Sequence, residues 1–271
     1  MRIAAVAAHF GRDVEACAAK VEAITADARD RGVDLLVFPD ATLGGYLGGF
    51  DAVGGTGLPP ALAPDDALFP RLAAAAGPVV VCLAYREQAG DRFYNSAVCL
   101  GGDGVLGRHR KVHQPAGELA AYSAGDAFTA FDTPVGRLGM LVDYDKTFPE
   151  AGRTLARDGA QLLACLSAWP ASLTNRAPRL LQDRQSRLFD LYDCARAAEN
   201  QVVLVSANQT GTMGRLRFLG QSKVVGPGGD VLARTWAKAG LTLAELDVAG
   251  EVARARLVLS HLRELRPDAY S

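Results

Sequence analysis

Short apolar runs alternate with longer amphipathic segments along the whole chain. The first run, RIAAVAAHF, predicts a strand, residues 13–31 predict a helix, and DLLVFPD predicts a second strand that is apolar almost throughout. A strand without a polar face is normally covered on both sides. The pattern therefore indicates a sheet buried beneath helices.

The rest of the chain continues this alternation and adds hairpins. Helices are predicted over residues 67–76 and over residues 149–158, where a proline opens the first turn. Further strands are predicted in PVVVCLAYRE, AQLLACLSA, QVVLVSAN and LTLAELD, and hairpins about GGDG, about GPGGD and within AFDTPVGRLGMLV. A long helix is predicted over residues 179–200, with one stripe expected to face the sheet: Leu181, Leu188, Tyr192, Ala195 and Ala198.

These elements together predict a layered α/β protein with mixed sheets. The 271 residues are 49% hydrophobic and 22% charged, which is enough apolar content for a large core and too much for a disordered chain. No Pro/Ser-rich or singly charged linker divides the sequence, so a single domain is expected.

Charge and cysteine usage exclude several classes of function. The 29 basic and 30 acidic residues nearly cancel and form no basic block, so neither a nucleic acid nor a membrane partner is expected. The five cysteines are widely spaced in apolar runs, which is typical of buried thiols rather than of disulfides or a zinc site. No signal peptide or membrane span is recognisable, and a cytoplasmic location is the default expectation.

Three charged residues stand where a predicted strand gives way to a loop. Asp40 follows LLVFP, Lys111 follows VLGRHR, and Asp143 follows GMLV. Ligands of layered α/β proteins usually bind at strand ends. Taken singly, each residue also fits ordinary turn chemistry or a solvated loop.

The surroundings of these residues resemble the nitrilase superfamily, the carbon-nitrogen hydrolases. LLVFPDATLGGY is similar to the segment with the family's general base, here at Asp40, and RHRKVHQPAGELAAYSAGD to the segment with its lysine and second glutamate, here Lys111 and Glu118. VDYDKTFPEAGRTLARDGAQLLACLSAW is similar to the nucleophile segment, with Asp143 at the nucleophile position, and RAAENQVVLVSANQTG to the segment that follows. The resemblance covers nearly the whole chain.

The resemblance implies a four-layer α-β-β-α sandwich with two mixed β-sheets, formed by one domain over residues 1–271 with a tail from about residue 258. It implies a small-molecule substrate or ligand, no cofactor, no metal, and a homodimer or higher homo-oligomer paired through the helix near residues 150–158 and the long helix. The N–H of Tyr144 is expected to help hold an oxyanion. The other residues expected around a substrate pocket are Tyr46, His113, Trp169 and Asn208.

The departures from the family lie in the catalytic set. The family uses a cysteine nucleophile and a glutamate base, where this sequence has Asp143 and Asp40. A carboxylate is a much poorer nucleophile toward an amide, so the thioester route cannot run. Asp143 is longer than cysteine and Asp40 shorter than glutamate, so the two changes offset each other in length. Cys165 is the remaining thiol expected nearby, although its LLACLSA context is typical of a core strand.

If the family geometry holds, Asp40, Glu118 and Asp143 surround Lys111. Neighbouring carboxylates do not all ionise, so at least one should keep its proton near neutral pH. An acid pair beside a cation suits general acid-base chemistry, including activation of water without a covalent intermediate. The same group also suits a structural ion pair. A bound hard cation is disfavoured because Lys111 occupies the centre of charge.

Three functions remain open from the sequence. The first is an enzyme that acts on a small amide, nitrile or related nitrogenous substrate by acid-base chemistry through Asp143, Asp40 and Lys111. The second is a binding or assembly protein that keeps the fold without the nucleophile. The third is an ordinary amidase into which Asp143 was introduced, a reading that the matching change at Asp40 disfavours. Substrate identity depends on loops such as residues 43–60 and 172–178, which carry no signature.

Overall fold

The structure is a computed structural model, and it describes residues 1–50 and 57–270. The strands are β1 (Arg2–Ala8), β2 (Leu35–Val37), β3 (Ala61–Leu62), β4 (Val80–Ala89), β5 (Arg92–Gly101), β6 (Gly104–Arg110), β7 (Phe131–Thr133), β8 (Gly136–Val142), β9 (Leu162–Ser167), β10 (Val203–Gln209), β11 (Thr212–Met213), β12 (Leu216–Arg217), β13 (Lys223–Val225), β14 (Val231–Arg234) and β15 (Gly240–Glu245). The helices are α1 (Val14–Asp30), α2 (Leu68–Ala76), α3 (Pro149–Arg157), α4 (Arg184–Asn200) and α5 (Val248–Ala255), with 3₁₀ turns at Asp143–Thr147, Leu180–Gln182 and Pro267–Ala269.

The strands form a mixed sheet in the order β6-β5-β4-β2-β1-β10-β9-β8-β7. The central pairs, from β4 through β2, β1, β10 and β9 to β8, are parallel. The outer pairs β4–β5, β5–β6 and β7–β8 are antiparallel hairpins, of which the turn residues predict the last two. Parallel strands end at the same edge, so the C-terminal ends of β2, β8 and β9 lie close together.

The two halves of the sheet face each other and enclose the inner core. Val80 and Cys82 of β4 belong to the same buried cluster as Met140 of β8 and Leu162 of β9. The outer face of the β4 half packs against α1 and α2, and that of the β9 half against α3 and α4. This is the predicted α-β-β-α sandwich, and it explains why the central strands lack a polar face.

Helix α4 begins later than predicted. Asp183 caps it by accepting the N–H of Gln185 at 2.9 Å, and a separate 3₁₀ turn holds residues 180–182. A short acidic side chain satisfies backbone N–H groups at a helix start, and it fixes the boundary there. The predicted start at Arg179 is therefore wrong by five residues.

The face of α4 that meets the sheet is also not the predicted one. Leu181 is exposed, and the rest of the predicted stripe is only partly buried. The residues of the helix that are buried are Ser186, Phe189, Asp193, Arg196, Ala197 and Asn200. The helix thus turns a largely polar stripe inward, which the partners described below explain.

The C-terminal region contains the predicted strand β15 and a helix, α5, that the sequence pattern did not reveal. Helix α5 places Val248 and Val252 against the inner core, and β15 pairs antiparallel with β1. No helix in the described ranges has the length and hydrophobicity needed to cross a membrane. Residues 51–56, within the predicted substrate loop, and Ser271, at the end of the predicted tail, lie outside the described residues.

Candidate functional site

Lys111 is the centre of a buried charged group. It follows the last residue of β6, is 0% exposed, and its N–H donates to the carbonyl of Asn95 at 2.8 Å. Its ammonium donates to Glu118 Oε1 at 2.8 Å and lies 3.7 Å from Asp143 Oδ2. The hydroxyl of Tyr46 donates to the same Glu118 oxygen. Lys111 therefore faces two carboxylates from different parts of the chain.

Asp143 occupies the sharp bend where β8 passes into a 3₁₀ turn. Its φ of 47° lies in the left-handed region, which is uncommon for a residue with a side chain and persists only where the surroundings hold it. Its Oδ1 accepts the N–H of Ala168 at 3.1 Å, just after β9, and its side chain is 9% exposed. The bend thus directs the carboxylate away from the sheet and toward Lys111.

Asp40 follows β2 and is fully buried beside the same group. Its Oδ2 accepts from Asn95 Nδ2 at 3.0 Å, and its backbone N–H donates to the carbonyl of Ser167 at 3.1 Å. Its Oδ1 has no hydrogen-bond partner. In the described part of the chain Asp40 forms no ion pair with Lys111. The two side chains therefore interact through their charges without direct contact.

The protonation states follow from burial and from crowding. Burial raises the pKa of Asp40 to about 8; the Lys111 charge opposes this shift, while the charges of Asp143 and Glu118 add to it. Burial also raises the pKa of Glu118, against the opposing effects of Lys111 and Tyr46. Burial alone would lower the pKa of Lys111, but the three acids more than offset this and raise it. At neutral pH Lys111 is therefore charged and Asp40 largely protonated.

The residues expected around a substrate pocket lie in different surroundings. Tyr46 contacts Glu118, as described above. His113 bonds through Nδ1 to Asp145 Oδ1 at 3.0 Å and stacks on Phe148, with ring centroids 3.7 Å apart. It therefore belongs to the neighbouring Asp145 cluster rather than to the Lys111 group.

Two other predicted pocket residues pair with each other. The N–H of Trp169 donates to Asn208 Oδ1 at 2.8 Å, and Asn208 Nδ2 donates to the carbonyl of Gly220 at 2.9 Å. Trp169 also donates through Nε1 to Gln185 of α4 at 3.0 Å. Asn208 thus fixes the backbone just after the Ala168 N–H that Asp143 accepts. Tyr144, the predicted oxyanion residue, follows Asp143 directly, and its ring meets Phe148 edge-on.

Two residues of the site were missed at the sequence level. Asn95 joins Asp40 and Lys111, yet it lies inside a hairpin strand and its only signal is a polar residue between buried neighbours. Asp145 is buried and accepts from His109 at 2.9 Å, from His113, and from the N–H groups of Val112, His113 and Val142. It ties the segment after Lys111 to the bend at Asp143.

Cys165, the remaining thiol expected near the site, is a core residue. The residue is fully buried in β9, and burial raises its pKa to about 12, so the thiol stays protonated at neutral pH. Among residues 1–50 and 57–270, no group of three or more histidine, cysteine, aspartate or glutamate side chains is arranged to hold a metal ion.

The carboxylates and Lys111 have little access to solvent. Five of the surface cavities among the described residues have volumes of about 240 to 640 Å³, and neither Asp143 nor Lys111 lines any of these five. Asp143 is 6% exposed overall, whereas Asp40, Lys111 and Glu118 are 0% exposed. Asp143 is therefore the member of the group that meets solvent.

Comparison with known proteins identifies the family of the chain. A family model described as carbon-nitrogen hydrolase matches residues 2–255. The chain is 32% identical to a hydrolase from the pqqF 5′ region of Pseudomonas protegens, over 95% of this chain and 86% of that protein. It is 32% identical to an (R)-stereoselective amidase of a Pseudomonas species, over 86% and 80%. Two nitrilases, a probable one from Schizosaccharomyces pombe and one from Pyrococcus abyssi, match over 50% and 54% of their own length.

Solved structures agree with the sequence matches. The fold superposes on a carbon-nitrogen hydrolase from Helicobacter pylori G27 with a TM-score of 0.85, at 25% identity, over 100% of this chain and 96% of that one. It superposes with a TM-score of 0.78, also at 25% identity, on an amidase variant from Nesterenkonia that carries an acetamide group on its active-site cysteine, over 99% and 94%. The match over nearly all of the chain, together with the sandwich, establishes that this protein belongs to the carbon-nitrogen hydrolase family, within the nitrilase superfamily.

Proposed function

We propose that the chain is a carbon-nitrogen hydrolase-type enzyme in which Asp143 stands where the relatives have their active-site cysteine. The observation that carries the proposal is the 3.7 Å contact between Asp143 Oδ2 and the Lys111 ammonium. The strained backbone of Asp143 supports it, because strain of this kind clusters at functional sites. A small amide is the substrate class that fits the amidases among the relatives.

The chemistry that suits these groups is direct attack by water. Asp143 takes a proton from water while the water oxygen bonds to the amide carbon. Lys111 and the N–H of Tyr144 stabilise the oxyanion that forms. The protonated Asp40 gives its proton to the leaving nitrogen as the C–N bond breaks. The products are a carboxylic acid and an amine or ammonia. Transfer of the proton from Asp143 to Asp40 then restores the starting state, so no covalent intermediate is needed.

A second candidate is a binding or assembly protein without turnover. It is favoured by the closed surroundings of the site, where three of the four charged side chains are 0% exposed. In this reading Lys111 and the acids form an internal ion cluster that maintains the fold. Buried ion pairs are weak evidence for added stability, so the cluster does not by itself explain why it is kept.

A panel of small aliphatic amides and nitriles tests the proposal, with release of ammonia as the readout. The wild type is expected to turn over at least one amide, and Asp143→Asn is expected to lower that turnover by about 100- to 10,000-fold. The double variant Asp143→Cys/Asp40→Glu supplies thiol chemistry in the same scaffold and serves as a positive control. Turnover by the double variant but not by the wild type would establish the non-catalytic candidate.

The predicted setting of the enzyme extends the proposal. We propose a cytoplasmic homodimer that pairs through α3 and α4. The support is the outward face of α4, where Leu191 is 59% exposed and Leu181, just before the helix, is 53% exposed. An exposed patch of large apolar side chains is typical of a surface that another chain covers.

A further inference from the structure

A second buried charged group lies beneath the bend at Asp143. Lys146, in the 3₁₀ turn that Asp143 begins, donates to Asp193 Oδ1 at 2.7 Å. Lys223 of β13 donates to the other oxygen, Oδ2, also at 2.7 Å. Both ammonium groups lie over the ring of Phe189, at 3.4 and 3.7 Å from its centroid. All three charged side chains are 0% exposed.

Added stability is a weak explanation for this group. Burial of charges is costly, and replacing a buried ion pair with apolar residues of similar volume is often neutral or stabilising. At Lys223, burial and the charge of Lys146 lower the pKa despite the contact with Asp193, so the charged form of Lys223 is disfavoured there. A role beyond packing between α4 and the sheet is therefore expected.

The group is joined directly to the bend. Lys146 is three residues after Asp143, and α4 holds it at two points. Asp193 binds its side chain, and Arg196 Nε donates to its carbonyl at 2.8 Å. The turn that carries Asp143 is thus fixed to one face of a long, capped helix.

The preceding residue, Asp145, anchors the same turn to a different partner. It bonds to His109 and His113 on the side of the Lys111 segment and accepts the N–H of Val142. The side chains of Asp145 and Lys146 therefore bind the turn to the Lys111 segment and to α4, respectively. This arrangement supplies the restraint that the left-handed backbone of Asp143 requires.

We propose that Asp193, acting through Lys146, is a positioning residue that holds the Asp143 carboxylate against Lys111. Lys223 supplies the second cation for Asp193 without contacting the turn. The inference rests on the proposed function only for its effect on turnover. Its effect on the geometry of Asp143 is measurable in a protein without activity.

The two lysines provide a matched pair of variants. Lys146→Met removes the ionic link to the turn and leaves Asp193 paired with Lys223. Lys223→Met leaves Asp193 paired with Lys146, so the link is kept. Each variant removes one buried charge and leaves Asp193 with one cation. Lys223→Met also removes the 3.1 Å contact of Lys223 with Asp190, which keeps its pair with Arg234. A purely structural role predicts the same outcome for both.

The readout is the protonation of Asp40, because the nearby charge of Asp143 helps to raise its pKa. Infrared difference spectroscopy against pH follows the carboxylic acid band, and Asp40→Asn assigns it. In Lys146→Met the midpoint is expected to fall by about one pH unit as Asp143 moves away, and any amide turnover to fall at least about tenfold. In Lys223→Met both should match the wild type.

The possible outcomes separate the inference from the proposed function. Equal Asp40 midpoints in the wild type and both variants would overturn the positioning role, as would equal shifts in the two variants. A shift confined to Lys146→Met supports the positioning role even if no amide is hydrolysed, in which case only the proposed function fails. Thermal unfolding of each variant confirms that the comparison is made on folded protein.

Discussion

The Asp143 carboxylate lies 3.7 Å from the Lys111 ammonium, while its other oxygen accepts the N–H of Ala168. Asn at this position retains an acceptor for the Ala168 N–H but cannot take a proton from water. Asp143→Asn is therefore expected to fold normally and to lose about 100- to 10,000-fold in turnover of any amide substrate. Steady-state rates and the thermal midpoint measure the two effects. An unchanged rate would end the general-base role.

The raised pKa of Asp40 predicts a pH-dependent stability. The folded protein keeps this proton up to about pH 8, whereas the unfolded chain releases it near the ordinary carboxyl pKa of 3.8. Between these values the native state binds more protons, so the free energy of unfolding contributed by Asp40 falls as pH rises, by up to about 1.4 kcal/mol per pH unit.

Asp40→Asn tests that slope, because it removes the titrating group and keeps an oxygen acceptor for Asn95. Urea midpoints measured from pH 4 to 9 should fall less steeply for the variant than for the wild type, with the gap greatest above pH 8. Parallel curves would contradict the assignment of the proton to Asp40. If Asp40 also donates to the leaving group, turnover falls as pH rises through about 8.

Asp145 is expected to matter more for stability than an exposed carboxylate. Burial acts to raise its pKa, but hydrogen bonds from His109 and His113 more than offset this and hold the pKa below its ordinary value. Asp145→Ala leaves several buried donors unpaired and should cost about 3–5 kcal/mol of unfolding free energy at neutral pH.

The pH dependence of that cost follows from the sign of the shift. A depressed carboxylate pKa contributes stability above the unfolded value of 3.8 and loses it as pH falls toward the folded value. The difference between wild type and Asp145→Ala should therefore shrink below about pH 4 in urea titrations. Asp268→Ala, which removes a largely exposed partner of Arg266, is the control and should leave the midpoint in place.

The outward face of α4 predicts an assembly interface. Leu191→Glu, alone or with Leu181→Glu, places a charge on this exposed apolar surface and should convert a dimer to a monomer. Multi-angle light scattering measures the mass directly. Leu232→Glu alters an exposed leucine on β14 and is the control, which should keep the wild-type mass. A wild type that is already monomeric at micromolar concentration would refute the interface.

The sequence by itself determined most of the order of strands and helices, because local signals set it, but helix α5 was missed. Turn residues such as GGDG fix hairpins, and uninterrupted apolar runs identify central strands that are covered on both faces. The sequence also identified Asp40, Lys111, Glu118 and Asp143 as neighbours, through the family resemblance rather than through spacing. The prediction that at least one of these acids keeps its proton needed only the number of charges around Lys111.

Only the tertiary structure decided which face of α4 is buried and how the protons are shared. Asp193 is 47 residues from Lys146 and 30 from Lys223, so periodicity favoured an apolar stripe that in fact is only partly buried. The pKa of Asp40 depends on complete burial beside Asn95, which no local pattern reports. Long-range contacts and desolvation, rather than composition, set the chemistry of this site.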